Sequence, residues 1–285
     1  MSFIQDLKTL LEHGDDLPTL PDVVLELQAA FNDEMIGDVE LAAIIERDPA
    51  LTARMLRVAN SAMFRRGDPV ASVSVAVQRM GIRQVRATCL VLGVVKSFEG
   101  AAGGLDHQQF WNHSAAVGLA AQRLWRLVPG VPSSDADQLY VAGLLHDVGL
   151  LVLDQFFPDR LREVNEHHEL SGEPRPACER IVLGMDHGAV GSLLLGRWSL
   201  PESIVAAVAD HHQPAEAPEA HAAAACVVAA AEQVCAGLGW DLEGERDEPA
   251  VMTALTALGL ESGTIEQFET EIEQIASNAT GFLVV

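Results

Sequence analysis

The sequence is poor in aromatic and basic residues, and each shortage excludes a class of protein. Aromatic side chains make up 5% of the 285 residues. No convincing alternation of apolar and polar residues and no hairpin dipeptide is present, which argues against a β-sheet fold. The 18 lysines and arginines stand against 41 acidic residues, giving a net charge of −23. This balance argues against general nucleic-acid binding and against attachment to a membrane surface.

Signals for export and membrane insertion are also missing. The four cysteines stand without a CxxC pair, and three lie in apolar helical runs, so we expect reduced cysteines in a cytoplasmic protein. The first residues lack the basic start and apolar run of a signal peptide. No uncharged apolar stretch reaches about 18 residues, the length needed to cross a bilayer, so no membrane span is expected.

The residues that are present predict an all-α fold. Hydrophobic residues make up 49% of the chain, enough for one large or two modest cores, and alanine, leucine and valine favour helix. Asp48 and Pro49 predict a helix start, with aspartate as N-cap and proline at the first helical position. Glycine-rich residues 100–106 predict a hinge between two helical parts. After it, helices are predicted over roughly 108–127, 135–147, 158–169, 175–183, 187–197, 202–212 and 220–236.

The adjacent pair His146–Asp147 is the most informative feature of the chain. It lies in an otherwise apolar stretch, residues 139–153. Burying an imidazole beside a carboxylate costs free energy unless both groups have partners. A divalent metal ion is one such partner, because it binds a neutral imidazole and a carboxylate together. Hydrogen bonding to the backbone at a helix end is the alternative.

Other histidines and one glutamate occur on further predicted helices. A single histidine on an apolar helix is usually a satisfied core residue, but several on different helices make convergence on one site more plausible. His211 and His212 would point about 100° apart on a helix, so the two need not reach the same ion. Glu232, in an apolar run, needs a cationic partner, either a metal or an arginine. The further histidines are His113, His187, His211 and His212.

Basic residues are concentrated in one segment. Between Arg54 and Lys96 there are eight basic residues and one acid, Asp68, so the segment carries +7 and the remainder −30. Two interpretations stay open: pairing with acids inside the fold, or docking of an anionic ligand or acidic partner. The residues of the predicted docking site are Arg54, Arg57, Arg79, Arg83 and Arg86.

The ordered series of histidines and acids resembles the HD superfamily of metal-dependent phosphohydrolases. Flanking motifs make the chain similar to the HDOD family, the HD-related output domains, over about residues 17 to 214. These motifs are Leu17-Pro-Thr-Leu-Pro-Asp22, Ile45-Glu-Arg-Asp-Pro-Ala-Leu51, Leu56-Arg-Val-Ala-Asn-Ser61, Met80-Gly-Ile-Arg83, Trp111-Asn-His-Ser114, Gly143-Leu-Leu-His-Asp-Val-Gly149, Asp186-His-Gly-Ala-Val-Gly191, Trp198-Ser-Leu-Pro201 and His211-His-Gln-Pro214.

The resemblance implies an N-terminal helical bundle, about residues 17–100, packed on an HD-like helical core that begins near residue 107. Residues 215–285 would form a helical extension that completes this core and ends in an acidic tail. The resemblance also implies a site for one or two divalent metal ions. The implied ligands are His113, His146, Asp147, His187, His211, His212 and Glu232.

Departures from the HD pattern bear on activity. Leu150 stands where active members have a phosphate-facing lysine, and an aliphatic side chain cannot stabilise a developing phosphoryl charge. Gln109 replaces a glutamate, the Gly-Tyr-Pro segment of cyclic-dinucleotide phosphodiesterases is absent, and Glu232 stands at the final aspartate position.

The resemblance and these departures together predict a regulatory or scaffold protein of bacterial signal transduction. Such a protein would bind a signalling partner and have weak or no catalytic activity. The alternative is a phosphohydrolase acting on a nucleotide or other phosphoester, with a metal-activated water held at Asp147 as nucleophile. In a third and weaker interpretation, the metal is structural or redox-sensing.

Overall fold

The fold is all-α, as predicted. The computed structural model describes residues 3–13, 17–30, 36–61, 64, 67–99, 103–239, 242, 248–260 and 262–279, and within these ranges there are helices and no β-strand. The α-helices are α1 (Phe3–His13), α2 (Asp22–Ala30), α3 (Asp38–Ile45), α4 (Pro49–Asn60), α5 (Val73–Met80), α6 (Ile82–Ser97), α7 (His107–Trp125), α8 (Ala136–Leu145), α9 (Val148–Phe156), α10 (Pro158–Ser171), α11 (Arg175–Leu183), α12 (His187–Arg197), α13 (Glu202–Ala209), α14 (Ala222–Gly237), α15 (Glu248–Ala257) and α16 (Ser262–Ala279).

The chain divides into two compact units. One comprises Met1–Leu17 and Gly100–Ile272, and the other comprises Pro18–Glu99 and Glu273–Val285. Each is described by itself below. The first, larger unit contains all the candidate metal ligands.

In the smaller unit, helices α2 to α6 pack on one another. Asp48 caps α4 by accepting hydrogen bonds from the backbone N–H groups of Ala50 (2.9 Å) and Leu51 (3.1 Å), and Pro49 is the first helical residue. The predicted helix start is therefore confirmed. Gly81, with a φ of 82°, separates α5 from α6, because this left-handed conformation is readily adopted by glycine.

The basic residues of this unit are partly paired within it. Arg54 forms an ion pair with Glu99, Lys96 donates to Asp48 at 2.8 Å, and Arg79 donates to the carbonyl oxygen of Asp68 at 2.9 Å. These contacts agree with internal pairing for part of the segment. Docking of an anion at the five arginines of the predicted site stays a prediction. Of these, Arg57, Arg83 and Arg86 are exposed, while Arg65 and Arg66 lie outside the described residues.

In the larger unit, two pairs of helices pack so closely that only glycine fits at the point of contact. A Cβ atom on Gly118 of α7 would lie 2.8 Å from the carbonyl oxygen of Tyr140 in α8. A Cβ atom on Gly149, in α9, would lie 2.0 Å from the carbonyl oxygen of His187, in α12. These two close packings bring the middle of α7 against α8, and the start of α9 against the start of α12. They fix where the candidate ligands meet.

The helix predicted over 135–147 ends earlier in the structure, and the helix that follows it was not predicted. Helix α8 ends at Leu145, and α9 begins at Val148, so His146 and Asp147 lie at a break between two helices. Helix α9 is buried over residues 148–154. A helix that is apolar on all sides has no amphipathic period to reveal it in the sequence.

One described stretch, residues 133–156, is long and apolar enough by composition to cross a membrane. It includes four aspartates, and 89% of its apolar window is buried inside the protein. Core helices of globular proteins have the same properties, so length and composition are weak support for a membrane span here.

Candidate metal centre

Asp147 lies at the centre of a cluster of imidazole rings. Its Oδ2 atom is 3.2 Å from His146 Nε2 and 3.4 Å from His113 Nε2, and its Oδ1 atom is 2.9 Å from His187 Nε2. His211 Nε2 lies 3.8 Å from the same Oδ1. The carboxylate therefore faces imidazole nitrogens with both oxygens, and a carboxylate that does so can bridge two cations.

His211 and His212 both reach this cluster. The predicted helix over 202–212 ends at Ala209 as α13, so the two residues lie in a turn and not on a continuing helix. Their rings lie 3.8 Å apart between centroids, and His212 Nε2 is 2.8 Å from His187 Nε2. Because the backbone has left the helix, the angular separation expected for adjacent helical residues does not apply here.

Backbone carbonyl groups hold two of the histidines with Nε2 facing the cluster. His146 Nδ1 lies 2.7 Å from the carbonyl oxygen of Gly143, and His211 Nδ1 lies 2.7 Å from that of Val208. A carbonyl oxygen only accepts, so in both rings Nδ1 carries the proton and donates it. When these rings are neutral, Nε2 presents a lone pair to the cluster, and this is the tautomer that binds metals.

Glu179, on α11, plays the same part for His187 and was missed in the sequence. Its carboxylate is fully buried and lies 2.8 Å from His187 Nδ1, and it accepts a hydrogen bond from the His187 backbone N–H at 2.7 Å. Glu179 and Leu183 are four residues apart and both buried, so an acid on the buried stripe of α11 was the available signal.

Burial and mutual charge set the protonation of the cluster. Burial favours a raised pKa for Asp147, but His146 and hydrogen bonds from the surrounding imidazoles hold that pKa well below its usual range. Burial opposes protonation of His187, yet the charges of Glu179 and Asp147 raise its pKa well above the usual value. Burial and the neighbouring imidazoles lower the pKa of His211 to about 3, and lower that of His212 strongly. His211 and His212 are therefore neutral near pH 7.

Glu232, on α14, lies beside the cluster. One of its carboxylate oxygens is within 4.8 Å of ring nitrogens of His146 and His211. The side chain is half-buried, and burial raises its pKa. A cation nearby would offset this cost of burial.

The donor set fits a divalent cation. Nitrogens of His113 and His146 lie 3.3 Å apart, and both face the Asp147 carboxylate, so protons or a cation must lie among these acceptors. His211 Nε2 is buried and has no hydrogen-bond partner among the described residues. Imidazole and carboxylate together suit first-row transition metals such as zinc, iron or manganese. Within the described part of the chain, three overlapping ligand groups occur: Asp147, His187, His211 and His212; His113, His146 and Asp147; His146, His211 and Glu232.

A cavity of about 1030 Å³ opens onto the cluster. Asp147 and His187 form part of its wall, and so does Leu150, at the position where the HD signature has lysine. Two arginines of α11, Arg175 and Arg180, also line it, and neither stands out in the sequence. The volume is of the size that holds a small organic ligand.

Comparison with known proteins assigns this helical fold and histidine–aspartate cluster to a class. The sequence profile of the HDOD domain matches residues 17–214, well over half of the chain. The protein belongs to the HDOD family.

Individual relatives are more distant. An uncharacterized protein of Treponema pallidum (strain Nichols) is 29% identical over 211 residues, 74% of this chain, and the chain spans only 40% of the length of that relative. An HDOD domain protein of unknown function from Geobacter sulfurreducens has a crystal structure that matches with a TM-score of 0.82 at 26% identity, over 99% of this chain and 100% of that one.

A second crystal structure matches at lower identity and bears on the fold alone. It belongs to a candidate phosphohydrolase from Shewanella amazonensis SB2B and has a TM-score of 0.79 at 23% identity, over 98% of both chains.

Proposed function

We propose that the protein is a regulatory module of bacterial signal transduction whose HD-like site binds one or two divalent metal ions and hydrolyses phosphoesters weakly or not at all. One observation carries the metal site: ring nitrogens from five histidines surround the two oxygens of one buried aspartate. The ligands we propose are His113, His146, Asp147, His187, His211, His212 and Glu232.

The side chains around the cluster support binding more than fast catalysis. Leu150 is 2% exposed and lines the cavity, where a lysine would have placed a positive charge against a phosphoryl group. Asp147 and His187 would hold the metal, and Glu179 would orient His187. A bound divalent ion would supply Lewis-acid polarisation of a phosphoryl oxygen.

Phosphohydrolase activity is the second candidate, and the cavity favours it. The cavity gives a small molecule direct access to Asp147 and His187, which a purely structural metal would not need. The name of the Shewanella amazonensis relative is in keeping with this candidate.

We further propose that the protein acts in the cytoplasm on a signalling protein partner. Four cysteines are free in the described structure, which agrees with a reducing compartment. A crystal structure from Marinobacter aquaeolei VT8, described as a candidate signal transduction protein, shares the fold with a TM-score of 0.78 at 21% identity.

Hydrolysis of p-nitrophenyl phosphate and bis(p-nitrophenyl) phosphate by metal-loaded protein distinguishes the two candidates. The test variant is Asp147→Asn. The matched control is Asp159→Asn, since Asp159 on α10 is exposed, pairs with Arg162 and lies outside the cavity wall. We expect wild type to turn over either substrate, if at all, well below about 1 s⁻¹, the slow end of typical enzyme turnover.

Metal-dependent turnover at about 1 s⁻¹ or faster that Asp147→Asn abolishes and Asp159→Asn retains would contradict the regulatory proposal and favour the hydrolase. Equal, negligible rates in all three proteins support the regulatory proposal.

A further inference from the structure

The cavity beside the metal centre has a positively charged wall that the metal site does not use. Arg175 and Arg180 both come from α11 and line the cavity together with Asp147 and His187. Arginine is suited to phosphate, because its planar guanidinium can donate two parallel hydrogen bonds to phosphate oxygens.

Both arginines are fixed in position by neighbouring side chains. Arg175 is partly buried and donates to Asn165 Oδ1 at 2.7 Å. Arg180 donates to Asp186 Oδ2 at 2.6 Å, and Asp186 in turn caps α12 by accepting from the Ala189 N–H. A guanidinium held in place loses less rotamer entropy when it binds a ligand.

The charge of the cavity depends on the metal. Its lining has three carboxylates, from Asp147, Glu216 and Glu232, and the two guanidinium groups of Arg175 and Arg180. Asp186, which pairs with Arg180, adds a further carboxylate, so the acids outnumber the arginines and a bound divalent cation offsets the excess negative charge. Anion binding is therefore favoured in the metal-loaded protein.

The remaining lining residues and the volume of the cavity limit the class of ligand that can bind. Much of the wall is apolar, including Leu150, Ala177, Ala229 and Ala254. A volume of about 1030 Å³ is far larger than an inorganic anion needs and suits a ligand of nucleotide size. The apolar residues and the two arginines of the wall together match a molecule with an organic body and a phosphate.

We propose that Arg175 and Arg180 form a phosphate-binding subsite of this cavity and that its ligand is a nucleotide-sized phosphate ester. The subsite supplies, from α11, the positive charge that Leu150 cannot provide. The proposal rests on the proposed metal site, because the bound metal offsets the negative charge of the carboxylates around the cavity.

Calorimetric titration of the Mn²⁺-loaded protein tests this subsite. The probes are adenosine 5′-monophosphate and inorganic phosphate, with adenosine as the phosphate-free control. Arg175→Gln and Arg180→Gln remove each guanidinium, and Arg162→Gln is the matched control, since Arg162 is exposed, pairs with Asp159 and does not line the cavity. Manganese content is measured for every protein.

We expect the monophosphate to bind wild type and Arg162→Gln with the same Kd. Each test variant should bind it about tenfold more weakly or worse, since one charge-assisted hydrogen bond is lost. Adenosine should bind much more weakly than the monophosphate. Should Arg175→Gln fail to fold, Arg180→Gln carries the test.

Equal monophosphate affinity in wild type and the folded test variants would overturn the subsite. So would adenosine binding as tightly as the monophosphate, or no binding of either phosphate probe. If manganese binds normally while wild type and the test variants bind the monophosphate equally, the phosphate subsite is wrong and the proposed metal site stands. If manganese does not bind but Arg175→Gln still weakens monophosphate binding, the metal site is wrong and the arginines bind phosphate without it.

Discussion

The Glu179 carboxylate holds His187 at two points, the backbone N–H at 2.7 Å and ring Nδ1 at 2.8 Å. The other ring nitrogen lies 2.9 Å from Asp147 Oδ1. Glu179 therefore sets the direction in which His187 presents Nε2 to the cluster. Such partners of metal-bound histidines tune metal affinity, although they never touch the metal.

Glu179→Gln should weaken metal binding by roughly 10- to 100-fold. The amide removes the negative charge, and while its oxygen accepts from His187 its NH2 group stands in place of Oε1, 2.9 Å from the Nδ1 donor, so two buried donors face each other. Competition with a chromophoric chelator gives the metal affinity. Glu163→Gln is the control, because Glu163 is on the surface of α10 and pairs with Arg160. Unchanged metal affinity in Glu179→Gln would show that Glu179 does not support the metal site.

Metal binding should release about one proton at pH 7. The pKa of His187 is raised well above its usual value, so the metal-free ring is protonated at neutral pH, whereas His211 has a pKa of about 3 and is already neutral. The metal displaces the His187 proton, so affinity should fall as the pH is lowered. Calorimetry in two buffers of different ionisation enthalpy measures the release. Metal binding with no proton release would contradict this protonation of His187.

Gly149→Ala should destabilise the larger unit and weaken metal binding. The new methyl group would lie 2.0 Å from the His187 carbonyl oxygen, so α9 and α12 must move apart, separating Asp147 from His187. Overpacking of this kind costs about 1–3 kcal/mol. Thermal unfolding and chelator competition measure the two effects.

Gly196→Ala is the matched control for this change. Gly196 lies in α12, and a Cβ atom added there would have no described atom within 4 Å outside its own helix backbone, so alanine should stabilise the helix by about 0.5–1 kcal/mol. Equal stability of the two variants would show that the approach of α9 to α12 is not tight.

Local signals predicted much of the fold. The structure confirms the cap at Asp48 with Pro49 and the predicted bounds 175–183 of α11 and 187–197 of α12. These features are predictable because capping residues and glycines act within a few positions of their own helix. Helix α9 was missed since it is buried on all sides and shows no amphipathic period.

The site was only partly visible in the sequence. The histidines and Asp147 stood out because polar groups in apolar runs are costly to bury. Glu179, Arg175 and Arg180 did not, since their roles depend on how α11 packs beside His187 and the cavity, which no local pattern specifies. The angular separation expected for His211 and His212 does not apply because the helix ends before them, at Ala209.

The metal content of untagged protein tests the central claim most directly. Wild type and Asp159→Asn, incubated with zinc, manganese or iron and then dialysed, should each retain at least about one equivalent of one of these metals. Asp147→Asn should bind it roughly tenfold more weakly or worse. Chelator treatment should lower the melting temperature of wild type. A wild type that retains none of these metals, with a melting temperature unchanged by metal or chelator, would contradict the account.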